Sequence, residues 1–450
     1  MRSVARAFVS IIVPGSALAL ALLAATPTAH AQVPDPALLA VSSPLGPFAQ
    51  APAAPPEDDA PSAPGATTAP DAVTPPTGRP HHHHVADLGE GESPGEKGPV
   101  FKEWLRLHAG PLMIEPVVLM QVQAIPYVGS DAYLEAGDPA ERAGFRFRRA
   151  RFGFEGRVFH RVPFEITAEF NSDIAGRAAL HDAWFGYDRF KFLQVFVGTH
   201  DVPFSRSALT GSGDQALIER PFAVRAMAPF HQLGAHLEGH LWSGALNYYA
   251  GVYNGLQKTD QFFTGYVENS AVLGNRFDGL TYAGRLTSEP LGGLGRSIED
   301  LHHGKFRIAA GASTFYSGGG TRSILGLGGD ILLHYKGLHV LAEFLSNRAT
   351  PKTMPTQPTT QSAIVTSIGA VGEAGYMILK ERLGINARFE WLDPNTAVKD
   401  ESDSWILTGG VSYHVLHDFL KAQIDYNHRE ELHGKTLKND SLVIQAQLNL

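Results

Sequence analysis

The sequence of 450 residues contains no cysteine. Disulfide scaffolds, thiolate metal sites and cysteine nucleophiles are thereby excluded together. Beyond residue 31 it has no run of about 20 apolar residues, which excludes a bundle of membrane-spanning helices. Excess positive charge is missing too. Lys and Arg number 37 against 45 Asp and Glu, a formal net charge of -8, which is not the footprint of a nucleic-acid binder. Catalytic signatures are also wanting: G-x-S-x-G, H-E-x-x-H, the P-loop and G-x-G-x-x-G do not occur in a supporting context. His236 and His240 share a face, but four residues of strand separate them by roughly 13 Å, too far to share a metal. No catalytic residue, cofactor or metal is therefore expected.

What the chain does have is 47 Gly, 30 Pro, 10% aromatics and a near-neutral mean hydropathy of -0.09. Arg2 and Arg6 precede an apolar stretch from Ala7 to Ala25, and Ala29-His30-Ala31 forms a small-residue cleavage site. Residues 1–31 thus read as a secretory signal peptide, with the mature chain starting at Gln32. Residues 32–111 follow as a Pro/Ala-rich extension that holds His81-His82-His83-His84. Such a composition cannot bury enough apolar surface to offset its ordering entropy, so a disordered periplasmic linker is expected. The histidine tract reads as adventitious within it.

From residue 112 onward the hydrophobic period is two. Phe164, Ile166, Ala168 and Phe170 alternate with Glu165, Thr167, Glu169 and Asn171; Leu442, Ile444, Ala446 and Leu448 alternate with Gln445, Gln447 and Asn449. Alternation at 180° per residue marks half-buried strands. Sixteen such runs occur, centred from Gln121 to Ala446. Short connections such as Phe159 to Val162 and Lys336-Gly337 alternate with long ones such as Asp201 to Phe230 and Ser346 to Gln361. Ser288 to Lys305 is longer than this rule wants. An even strand number with short turns on one side and long loops on the other predicts an all-β fold, a 16-stranded antiparallel transmembrane β-barrel over residues 112–450. A soluble sandwich also alternates, but its core would not tolerate so charged a face. A barrel of this size has a wet interior, and its closure removes the edges that lipid forbids. Phe185, Tyr187, Tyr282, Phe389, Trp391 and Tyr426 fall on the apolar phase, several near strand ends where interfacial girdles sit.

The polar phase carries the candidate chemistry. Arg149, Arg151, Glu155 and Arg157 share a face opposite Phe152, Phe154 and Val158. A midplane Arg or Lys facing lipid would cost roughly 2–4 kcal/mol, so these side chains must look inward or lie near an interface. Arg285, Arg388 and Lys421 lie on the inward phase of their own strands. Inward acids are as plentiful, among them Glu165, Glu169, Asp182, Asp330, Glu343, Glu390 and Asp425, so ion pairs that merely brace the wall compete with permeant binding. The loop from Asp201 to Phe230, with Arg220 and Arg225, is long enough to call for a function. Folded inward it makes a constriction; folded outward it caps the surface.

Arg148-Arg149-Ala150-Arg151, Asp182-Ala183-Trp184-Phe185-Gly186-Tyr187 and the stretch from Val197 to Ser205 resemble the phosphate-selective porin O and P family. Glu219-Arg220-Pro221, Ala228-Pro229, Tyr253-Asn254-Gly255, Ala283-Gly284-Arg285-Leu286, Gly329-Asp330 and Arg388-Phe389-Glu390-Trp391 extend the likeness over about residues 112 to 450. The resemblance implies a homotrimeric outer-membrane porin, held in lipid, whose third loop enters the lumen. Its arginines and lysines would guide phosphate or other oxyanions, with Arg148, Arg149 and Arg220 as the residues carried over. The family's loop lysines have no counterpart here, and Leu450 stands where barrels usually present an aromatic. The resulting expectation is passive diffusion of small anions in the bacterial outer membrane, with Arg148, Arg149, Arg151, Arg157, Arg220, Arg225, Arg285, Arg388 and Lys421 meeting the permeant. Two alternatives stand beside it: a general or organic-acid porin without phosphate preference, and a structural barrel that tethers the envelope through its Pro-rich arm.

Overall fold

The computed structural model describes residues 105–131, 142–171, 178–256, 266, 279–320, 322–352 and 364–450. The expected signal peptide, the histidine tract and most of the expected linker lie outside the described residues. A short strand, β1 (Leu107–Ala109), pairs with β2 (Leu112–Val128), so the sheet begins a few residues before position 112. Then come β3 (Gly144–Val158), β4 (Val162–Glu169), β5 (Ala179–Phe190), β6 (Leu193–Asp201), β7 (His231–Leu241), β8 (Leu246–Tyr253) and β9 (Thr281–Ser288). The second half holds β10 (Arg307–Ser317), β11 (Arg322–Tyr335), β12 (Leu338–Pro351), β13 (Val365–Leu379) and β14 (Leu383–Asp393). It finishes with β15 (Ser404–Leu416), β16 (Leu420–Glu431) and β17 (Ser441–Asn449). Strands β2 to β17 pair antiparallel in sequence order, and β17 returns to β2, with Gln447 opposite Gln121. The sixteen long strands therefore close into a barrel, as the periodicity predicts.

The burial pattern is inside-out relative to a soluble protein. Phe152, Phe154, Ile166, Phe185, Phe344, Leu407 and Ile424 are exposed, whereas Arg149, Glu165, Arg285, Glu343, Arg388 and Asp425 are buried. Water would not tolerate so continuous an apolar exterior, and lipid requires it. Among the described residues no helix is long and apolar enough to cross a membrane; the strands do so. The Lys336-Gly337 turn shows how short connections are made: both residues have positive φ, 49° and 91°, which suits a two-residue hairpin whose flanking Tyr335 and Leu338 pair directly.

Strict alternation fails at one informative place. In β3, Gln121 pairs with Arg149 but Val122 pairs with Phe147, so Arg148 is the extra residue of a β-bulge. Without it, Arg148 would share the lipid phase of Phe152 and Phe154. The bulge resets the phase, leaving Phe145 and Phe147 exposed and turning Arg146, Arg148, Arg149 and Arg151 inward.

Candidate functional site: a loop-filled lumen

The segment from Asp201 to Phe230 folds into the barrel, and most of its residues are buried. It contains two short helices, α1 (Arg206–Leu209) and α2 (Phe222–Met227). Ser205 caps α1, its hydroxyl accepting from the Ala208 N–H. Three wall carboxylates accept loop backbone N–H groups: Glu343 from Ser207 at 2.7 Å, Asp425 from Ile218 at 2.7 Å and Glu390 from Ala223 at 3.2 Å. In the other direction, wall donors hold loop carbonyls. Gln121 reaches Ser212 O at 3.0 Å, Lys421 reaches Gln215 O at 2.9 Å, and Arg388 reaches Glu219 O at 2.8 Å. A loop at this depth cannot leave its backbone unsatisfied, so the inward polar phase of the strands serves as its hydrogen-bonding partner.

Apolar packing reinforces these bonds on one side. Phe204, Phe222, Ala223 and Met227 join Phe315, Leu345, Val371, Leu392 and Ile406 in a buried cluster. Inner-face glycines admit the close approach. A Cβ on Gly369 would lie 3.0 Å from both Ala223 Cβ and Met227 Sδ, and one on Gly410 would lie 2.5 Å from Leu217 Cδ2.

A second inward segment was not foreseen. The overlong turn between β9 and β10 buries Leu294, Ile298 and Leu301 and meets the loop, where the Ile298 N–H donates to Asp214 O at 3.1 Å. Glu299 accepts from Ser412 Oγ at 2.7 Å and lies 3.0 Å from His414 Nε2. Its length was the visible signal; its inward course depends on Leu294 and Ile298 finding Ala216, Ala309, Leu332 and Leu341 across the lumen.

The cationic residues divide by environment. Arg148 grips Glu219 with two contacts, 2.7 and 3.1 Å, while Arg149 and Arg146 approach the same carboxylate at 3.8 and 3.9 Å. Burial pushes the Glu219 carboxyl up, but Arg148 and Arg149 outweigh it and hold it well below the usual carboxylate range. Arg151 pairs with Glu169 at 2.6 Å, and Arg157 pairs with Asp188. Arg220 donates to Ser207 O, Ser212 Oγ and Thr210 O and stacks on Phe230, with 5.5 Å from guanidinium to ring centroid. Arg225 lies over Phe222. Arg285 is fully buried on Asp330, Arg388 bridges Glu390 and Glu373, and Lys421 sits by Asp418, all within the packed wall.

Between the β2–β5 wall, the loop and the β9–β10 turn lies a cavity of about 270 Å³. Of the nine cationic residues expected to meet a permeant, Arg151 and Arg220 line it. Arg296 joins them from the turn, and Glu155, Glu165, Asp182, Asp201, Asp214 and Asp418 face the same space. Sequence reasoning did not single out His181 and His231, which also line it; His181 turns inward beside Asp182 because it is the extra residue of a bulge in β5, which periodicity does not reveal.

A closed sixteen-stranded barrel with an apolar exterior, a polar lumen and an infolded third loop is an outer-membrane porin, and that is the class of this protein. The family model described as phosphate-selective porin O and P matches residues 126–315, bearing out the resemblance carried by the sequence motifs over that part of the chain. Among solved structures the chain is similar to the outer membrane channel DcaP of Acinetobacter baumannii, at 11% identity and a TM-score of 0.52, covering 76% of this chain and 99% of that one. It is also similar to OprB of Pseudomonas putida, at 11% identity and a TM-score of 0.52, covering 76% of this chain and 94% of that one. At that identity the likeness is one of fold. No curated protein matches the sequence.

Proposed function

We propose that this outer-membrane porin is a passive channel, not an enzyme, for small anions, with phosphate or a related oxyanion as the first permeant to test. In this reading residues 1–31 direct export, residues from Gln32 form the periplasmic linker, and the barrel works as a homotrimer in outer-membrane lipid. The observation that carries it is the charge balance at the loop: Arg146, Arg148 and Arg149 converge on the single carboxylate of Glu219. Two unit charges about 4 Å apart interact by about 4 kcal/mol at an effective dielectric near 20, so guanidinium groups gathered around one carboxylate favour a nearby anion by up to several kT. Arg151 and Arg220 extend the basic surface along the cavity. The buried Arg285, Arg388 and Lys421 shape the path by holding the wall and the loop, and do so without touching the permeant.

A second reading, a general or organic-acid porin without phosphate preference, is favoured by the six carboxylates that share the cavity with Arg151, Arg220 and Arg296. Planar-bilayer reversal potentials with and without phosphate separate the two. Anion-favouring reversal with chloride current blocked by low phosphate, and relief of that block in Arg220→Ala, is the expected result. Anion current indifferent to phosphate supports the general porin. Cation preference overturns the anion reading, and absence of conductance supports the tethering barrel.

A further inference from the structure

The barrel brings an adjacent His–Asp pair together with a second histidine from another strand. β5 supplies His181 and Asp182, and β7, which begins after the infolded loop, supplies His231. His231 Nε2 is 3.1 Å from one Asp182 oxygen, and His181 Nε2 is 3.6 Å from the other. The two rings lie 4.2 Å apart, centroid to centroid. One donor atom from each of the three residues falls within 4.8 Å of the others, all three residues are buried, and all three line the cavity.

We propose that His181, Asp182 and His231 form a binding site for a divalent transition metal ion of the zinc type on the cavity wall, and that a bound ion narrows the permeation path. Imidazole nitrogen and carboxylate oxygen are the donors such ions take, at roughly 2.0–2.2 Å, so donors already this close need to move by less than about 1 Å. The surroundings support the ligands as metal sites require. Asp201 Oδ1 lies 3.0 Å from His231 Nδ1, which leaves the Nε2 face toward Asp182. Thr167 Oγ1 donates to Asp182 Oδ2 at 2.9 Å and fixes that carboxylate. A carboxylate–histidine–metal arrangement of this kind sets the tautomer and raises ligand basicity. Charge around it is divided. Arg151 and Arg220 face the same cavity, but Arg151 is paired with Glu169 and Arg220 donates to the loop carbonyls, while Asp201 and Glu165 add negative charge beside Asp182.

The test uses the purified full chain with His81 to His84 replaced by Ser, so that the tract contributes no binding. Zinc chloride titrated by calorimetry should show one site per chain. His181→Asn and His231→Asn should abolish it, and Asp201→Asn should weaken it by about 10–100-fold, as loss of an outer-shell partner does. In bilayers the same concentration of zinc should lower the current of the tract-replaced protein, reversibly on adding EDTA, and leave the His181→Asn current unchanged. Heat-modifiable mobility on gels checks that each variant is folded, and His231→Gln serves should His231→Asn not assemble. Absence of a zinc site in the tract-replaced chain, or unchanged affinity in the folded histidine variants, overturns the proposal; zinc binding with unaltered current overturns the narrowing. Binding stoichiometry does not depend on which anion permeates, so failure here and failure of the anion reading are separable.

Discussion

The two sides of the barrel interior are built from the same kind of strand and end in opposite states. Along β10 to β16 the inner face mixes Phe315, Leu345, Val371 and Leu392 with Asp330, Glu343, Glu390 and Asp425, and the loop packs directly onto it. Along β3 to β5 the inner face offers Arg151, Glu155, Glu165, Thr167 and His181, and there a cavity survives. Where inward apolar groups meet an apolar loop helix, burial drives water out; where both faces are charged, desolvation costs too much and the lumen stays wet. The cavity is thus defined by where the loop cannot pack as much as by what lines it.

The sharpest way to break this contrast is to leave charge unpaired on the packed side. Arg388→Ala would strand Glu390 and Glu373 without their partner, and removing one member of a buried ion pair costs about 3–5 kcal/mol. A fall in the urea midpoint of the folded barrel checks it. Arg151→Ala, on the wet side, should cost far less, because its 18% exposed side chain and its partner Glu169 have more access to water.

Phe222→Ala tests the apolar half of the same wall. Truncating a buried Phe costs about 3–5 kcal/mol, here taken from loop docking and not from the strand ladder. Single-channel conductance should rise and become noisy, and the loop should become cleavable by protease; an unchanged conductance would show that the loop holds its place through hydrogen bonds alone.

The β9–β10 turn gives a pH-dependent version. Burial pushes the Glu289 carboxyl up to about 8, against the opposing pull of Arg206 and Arg285, and neither side-chain oxygen has a hydrogen-bond partner among the described residues. A carboxyl raised above its unfolded value contributes stability that is fully present below pH of about 4.5 and is lost as pH rises through about 8. Between pH 7 and pH 8 the loss is at most about 1.4 kcal/mol. Protease cutting within residues 289–306 should therefore increase at alkaline pH in the native chain and lose that dependence in Glu289→Gln.

Glu219 behaves in the opposite sense. Its carboxyl is held low, so its hold on Arg148 is present above the ordinary carboxylate range and persists until pH falls through the much lower folded value. Ion selectivity should be the same at pH 7 and pH 4.5. Glu219→Gln should raise the anion-to-cation permeability ratio a few-fold at low salt, with the gain shrinking as salt screens the arginines.

Much of this architecture was legible in the residues. All sixteen strands lie where the period-two runs fall, because a side chain in a strand has two choices of face and lipid enforces one of them. Leu442, Ile444 and Leu448 could not point inward without turning Gln445 and Gln447 into lipid. The candidate site was legible only in part. Alternation assigned Arg149 and Arg151 to the lumen, but it could not see that Arg148 is a bulge residue, which depends on how β3 pairs with Gln121 and Val122 of β2.

Composition and periodicity, being properties of neighbouring residues, thus determine that this chain is an outer-membrane barrel and which phase of each strand faces lipid. What fills the lumen is decided by residues far apart in the chain. Ser207 must meet Glu343, Asp214 must meet Ile298, and His231 must meet His181 and Asp182. No local pattern encodes those meetings; closing the barrel creates them, because only then do the inner faces of opposite strands share one volume.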